Sequence, residues 1–226
     1  MKFKTRKQKL LEYNDKYADR TDDINIELRR YFNDRNWDME NAIKKANQKI
    51  KKILDNREYE TIRIILYEYP MKTDRPRTIR GHTFSPNAAE NHSYFEKAWK
   101  SVVKSLKVIN TPAEITVDVY MEMPVKVKAD EVLLFESKLL DVIDTPDYDN
   151  VAKCYTDMLK NIVVVDDDLF HVGLVRKYYS VLPRVEITIR YIKLHESEYV
   201  YKKLKGRKSI KELQASGRVD LQLIDY

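Results

Sequence analysis

Apolar residues recur at two different periods along this chain of 226 residues. Between 39 and 54, Met39, Ala42, Ile43, Ala46, Ile50, Ile53 and Leu54 return every three or four positions. That spacing predicts an amphipathic helix with one narrow apolar stripe on a polar surface. Asp38 stands at its expected cap, and Glu40 lies in its first turn. Large core side chains are sparse here. Residues 1–58 therefore read as a helical N-terminal extension, an appendage or oligomer contact rather than a core.

The texture changes at Thr61. TIRIILYEY alternates and is β-branched, as a strand does. AAENHSYFEKAWKSVVKSL (88–106) is an amphipathic helix carrying Tyr94, Phe95, Trp99, Val102, Val103 and Leu106 on its apolar side. Pro112 opens a clean strand, AEITVDVYMEM. Residues 124–140 are ambiguous, with EVLLFESKLL readable as a short helix. Pro146 disfavours helix at Thr145, so Asp149 or Asn150 is the expected cap of a helix through VAKCYTDMLK. Ile162–Val165 reads as a short apolar strand, and LFHVGLVRKYY and RVEITIRYI as two more around Pro183. The order predicts an α+β domain over 59–195, a mixed or antiparallel sheet packed with two helices. Residues 196–226 form a basic C-terminal tail, helical in part.

Composition narrows the classes. Hydrophobic residues at 43% allow a core, and charged residues at 35% give it a densely charged surface. Only 4 glycines and 7 prolines argue against long disordered linkers. The formal net charge of +6 favours an acidic partner, nucleic acid among them, although a lysine-rich soluble surface produces the same number. The single cysteine, Cys154, excludes an internal disulfide framework and a cysteine-based zinc site. No apolar run is long enough to span a membrane, and the N-terminus lacks the apolar segment of a secretory signal.

Against that basic background, negative charge gathers in one region. TPDYDNVAKCY carries Asp147, Asp149, Asn150 and Lys153, and VVVDDDLF follows with Asp166, Asp167 and Asp168. Lys153 comes four residues after Asp149, so both lie on one helix face. If the helix and the next strand pack together, three carboxylates converge beside a lysine. Such a group suits Mg²⁺ or Mn²⁺ acting on phosphate, because hard ions take oxygen ligands and keep waters that phosphate oxygens replace. The bland alternative is equally open on these grounds. Paired aspartates cap helix starts, and a run of three aspartates is commonly a solvated turn.

At these residues the sequence resembles the RusA family of Holliday junction resolvases, small bacterial and phage endodeoxyribonucleases. The family pattern D-x-D-N-x-x-K, a helix and a D-D pair is met by Asp147, Asp149, Asn150 and Lys153, then Asp166 and Asp167. Upstream, Arg75-Pro76-Arg77 and Phe84-Ser85-Pro86 match a second family feature, and the likeness covers about residues 61–195. The resemblance implies that Asp147, Asp149 and Asp167 are metal ligands and Lys153 the catalytic lysine. In this register Asp166 and Asp168 are alternates for the third ligand. It further implies Mg²⁺ (or Mn²⁺) as cofactor and a homodimer making paired nicks in four-way junctions during recombination and repair. The setting would be the cytoplasm of a bacterial or phage-infected cell, with no membrane partner.

Lys72, Arg75, Arg77 and Arg80 are the expected DNA-phosphate contacts. Asp157, one turn beyond Lys153, is a candidate to orient it, and an ordinary surface aspartate is the alternative. Two competing readings differ in class. A D-x-D glycosyltransferase or phosphotransferase calls for an apolar strand before the acidic pair and commonly a glycine-rich phosphate loop, and neither is present. A non-catalytic branched-DNA-binding protein needs no metal site.

Overall fold

A computed structural model describes residues 5, 23–67, 77–79, 82–84, 90–91, 93–97, 107–144 and 146–224, with backbone only at 77–79 and 82–84. The chain divides into two compact units at Asp55 and Asn56. The first holds α1 (Ile24–Asn33) and most of α2 (Met39–Asn56). Asp23 caps α1 by accepting from the Asn25 N–H at 2.8 Å, and Asp38 accepts from the Asn41 N–H at 3.0 Å at the start of α2. Neither helix buries a residue fully. The α2 stripe is shallow, with Met39, Ala42 and Ile53 only half-buried.

The second unit is built on a four-stranded sheet of order β1-β6-β4-β5. Its strands are β1 (Tyr59–Leu66), β4 (Ala113–Glu122), β5 (Phe170–Ser180) and β6 (Arg184–Ile192). β1 and β4 pair antiparallel with β6, whereas β4 and β5 run parallel, so the sheet is mixed. The small strands β2 (Arg77–Ile79) and β3 (His82–Phe84) form a separate antiparallel ladder. The parallel pair requires a crossover, supplied by α3 (Ala129–Glu136) and α4 (Tyr148–Leu159). The ambiguous 124–140 stretch is thus helical in its middle.

Alternation along β4 sends Ala113, Ile115, Val117, Val119 and Met121 to the core face. α4 lays Val151, Cys154, Tyr155, Met158 and Leu159 against that face, together with Ile187 and Ile189 of β6. Of the expected helix at 88–106, residues 90–91 and 93–97 are described. They are helical, and Phe95 is fully buried in the same cluster. Residues 98–106 lie outside the described residues.

Two local expectations need correction. The cap of α4 is Asp147, not Asp149 or Asn150, so the helix starts at Tyr148, two residues after Pro146. Ile162–Val165 is not a strand but a buried turn joined to the sheet region by the Ile109–Val164 bridge. A four-residue apolar run looks alike in both settings, because burial rather than extension selects its composition.

The C-terminal segment forms α5 (Glu198–Lys205) and α6 (Lys208–Ala215). Leu204 and Ile210 join Val108, Val165, Leu169 and Val219 in a second apolar cluster. His195 is buried, and its Nε2 lies 2.7 Å from Asn110 Oδ1. With that oxygen as acceptor, Nε2 carries the proton and buried Nδ1 has no partner among the described residues. Burial therefore lowers the His195 pKa to about 4. Between about pH 6.5 and 4 the unfolded chain binds a proton that the native one does not, so stability should fall as pH falls through that window. Denaturation midpoints measured across it should show this loss in the wild type. His195→Gln, which can still donate to Asn110, should lack that part of the slope.

Candidate active site

α4 and the turn after it carry all the acidic residues singled out above. Lys177 of β5 holds the approach to α4 by donating to the carbonyls of Asp144 at 2.6 Å and Pro146 at 3.2 Å. Asp147 is then extended (φ −62°, ψ 149°), and its carbonyl accepts from the Val151 N–H at 3.1 Å. Its carboxylate takes no capping bond. Asp149, Asn150 and Lys153 follow in the first two turns. Lys153 Nζ lies 3.0 Å from the Asp157 carboxylate one turn on.

The helix ends at Lys160, which is already extended (φ −60°, ψ 133°), and the next residue, Asn161, adopts the left-handed region (φ 61°), which asparagine tolerates better than most residues. The chain folds back so that the Val163 N–H bonds the Leu159 carbonyl at 2.9 Å, and Val165 bonds Ile109 at 2.9 Å. Asp166 then caps a short 3₁₀ turn, Asp167–Leu169, by accepting from the Asp167 N–H at 3.0 Å.

The three turn carboxylates are not equivalent. Asp166 pairs with Lys160 at 2.6 Å and with Arg207 at 2.7 Å. Asp168 pairs with the other arm of Arg207. Asp167 is bonded to Asp166 and makes a longer, 3.4 Å ion pair with Lys160, and it lines a cavity of about 230 Å³ with Tyr148, Ala152 and Thr156 of α4. Burial opposes ionisation of Asp166, but its bonds to Asp167 and Lys160 outweigh this and hold its carboxyl below the usual range. The Asp166 carboxylate, helped by burial, pushes Asp167 above it. A carboxyl that resists ionisation beside an ionised neighbour gains from a cation placed nearby.

Asp167 and α4 thus border the same cavity. Helical spacing puts Asp149 and Lys153 on the next row round from Tyr148, Ala152 and Thr156. Full convergence, however, is not found. Among the described residues no three acidic or histidine side chains lie close enough together to hold a metal ion. The carboxylates of the turn are engaged by cations instead: Lys160 and Arg207 pair with Asp166 and Arg207 with Asp168, while Lys153 pairs with Asp157. In chemistry the donor set fits a hard divalent ion. Asp147, Asp149 and Asp167 offer only oxygens, and the Asp167 side chain is 44% exposed, leaving room for water or phosphate ligands.

The family model for "Endodeoxyribonuclease RusA" matches residues 68–190, more than half of the chain. The chain belongs to the RusA endodeoxyribonuclease family. It is also 30% identical over 137 residues to the uncharacterized protein YqaN of Bacillus subtilis (strain 168), covering 96% of that protein and 58% of this chain. The RusA match takes in β4, α4, the acidic turn and β5, so every carboxylate discussed here lies within it.

Of the basic loop, Lys72, Arg75, Arg80 and the side chain of Arg77 lie outside the described residues. Other basic residues of the RusA region are engaged: Arg176 forms a two-pronged pair with Asp118 at 2.5 and 2.7 Å, and Lys177 is bound to backbone. Sequence reasoning missed Lys160 and Arg207. Lys160 had a signal, lying two helical turns beyond Lys153. Arg207 had none, since its partners are 39 and 41 residues away in sequence. No helix among the described residues is long and apolar enough to cross a membrane.

Proposed function

We propose that this chain is a metal-dependent, structure-specific endonuclease that resolves four-way DNA junctions by paired nicks, as a homodimer, in recombination and repair. The observation that carries the reading is the D-x-D-N-x-x-K array at the start of α4, the helix whose Tyr148, Ala152 and Thr156 line a cavity together with Asp167, in a RusA-family chain. Asp147, Asp149 and Asp167 would hold Mg²⁺ or Mn²⁺. When bound, the ion would polarise the phosphate and lower the pKa of a water nucleophile. Lys153 would offset charge on the phosphate or the leaving oxygen, kept in place by Asp157. Lys72, Arg75, Arg77 and Arg80 would contact phosphates and make binding salt-sensitive. Two-fold symmetry of the junction suits a dimer delivering two nicks. Such a protein would work in the cytoplasm.

Nick mapping on a four-way junction, a fork and linear duplex tests the reading. Symmetric nicks confined to the junction support it. Tight junction binding with no cutting in any divalent ion would make the chain a binding protein instead. The third ligand has its own test. Asp167→Asn should slow cutting by at least about tenfold more than Asp168→Asn does. The reverse order would move the ligand to Asp168.

A further inference from the structure

We propose that Arg207, contributed from beyond the RusA-matched region, is a positioning residue for the acidic turn of the active site. The inference rests on the nuclease reading above. The RusA match ends at residue 190, and Arg207 sits at the cap of α6. Its guanidinium grips two members of the turn, Asp166 at 2.7 Å and Asp168 through both of its arms. It does so while only 21% exposed, so solvent weakens these pairs less than it would on an open surface.

The docking beneath it is apolar. Val165 and Leu169, which bracket the turn, meet Leu204 and Ile210, which bracket Arg207. Arg218 adds a bond to the Ile162 carbonyl at 3.0 Å, and the Val108 N–H bonds the Arg218 carbonyl at 2.7 Å. The hydrophobic cluster thus brings the C-terminal helices to the turn, and the guanidinium sets the directions of its side chains.

Three adjacent carboxylates repel one another, and without a partner each would sample several rotamers. A planar guanidinium can bond two of them at once in a fixed geometry, which a lysine ammonium matches only as a point charge. With Asp166 and Asp168 held, the turn presents Asp167 to the cavity. Removing the guanidinium frees two carboxylates that can then draw an ion out of place. Metal affinity should survive or rise, while the rate falls.

The test uses full-length protein with Arg207→Ala and Arg207→Lys. Three quantities are read: single-turnover junction cutting at saturating Mg²⁺, Mn²⁺ affinity without DNA by electron paramagnetic resonance, and thermal unfolding. Arg207→Ala should cut about tenfold or more slowly, with Mn²⁺ affinity no weaker than wild type and unfolding still cooperative. Arg207→Lys, which keeps the charge and is the safer variant for folding, should cut at an intermediate rate. Wild-type cutting by Arg207→Lys overturns the proposal, as does loss of Mn²⁺ binding in step with cutting. Asp149→Asn serves as the control for the underlying reading. If it still cuts, the site itself is misassigned. If it is dead and the Arg207 variants are normal, only the positioning role fails.

Discussion

Asp149→Asn is expected to bind four-way junctions as tightly as the wild type and to cut them at least about a thousandfold more slowly, beyond the tenfold to hundredfold typical of residues that merely support a ligand. The change is nearly isosteric and lies on a half-solvated helix row, so it removes a negative oxygen donor without opening a cavity. The core side of α4, from Val151 to Leu159, is left intact. Stability should therefore shift by less than about 1 kcal/mol, as for other surface changes. Gel-shift affinity, single-turnover cutting and a denaturant midpoint separate the three effects. Equal loss of binding and cutting would mean that Asp149 serves the fold or the DNA interface instead.

Lys153→Ala carries the second large effect, a loss of cutting of about a hundredfold to a thousandfold, in the range for removing one preorganised charge-stabilising group. Its pairing with Asp157 at 3.0 Å makes a second, smaller expectation. Asp157→Asn keeps the ammonium but loosens its direction, so it should slow cutting by only about tenfold. A single-turnover comparison at saturating metal shows the order. If Asp157→Asn proves as damaging as Lys153→Ala, Asp157 acts on substrate or metal itself.

How much of this was legible beforehand depends on the range of the interaction. The strands β1, β4 and β6 announced themselves through alternation that survives in their burial, for example in Ile62, Ile64 and Leu66 facing Ile189, Ile187 and Val185. The parallel pairing of β4 with β5 was not readable beyond "mixed or antiparallel", because no local signal sets strand order. The apolar run before the aspartates misled, since a buried turn bridged to Ile109 needs the same valines as a strand.

The site divides the same way. Asp149, Lys153 and Asp157 share a helix face by spacing alone. The inequality of Asp166, Asp167 and Asp168 came from Lys160 and from Arg207, and the second of these reaches the turn only through tertiary packing. Residues 196–226, read as a basic tail, place buried Leu204 and Ile210 against Val165 and Leu169. Their apolar positions are too few to reveal that contact in a lysine-rich segment.

The most direct measurement of the central claim is single-turnover cutting of a four-way junction by the wild-type chain in EDTA, followed by addition of excess Mg²⁺ to the same sample. The expected result is no product in EDTA and paired, symmetric nicks once Mg²⁺ is restored. Cutting at full rate in EDTA, or none after Mg²⁺ or Mn²⁺ is added to folded, junction-bound protein, would contradict it.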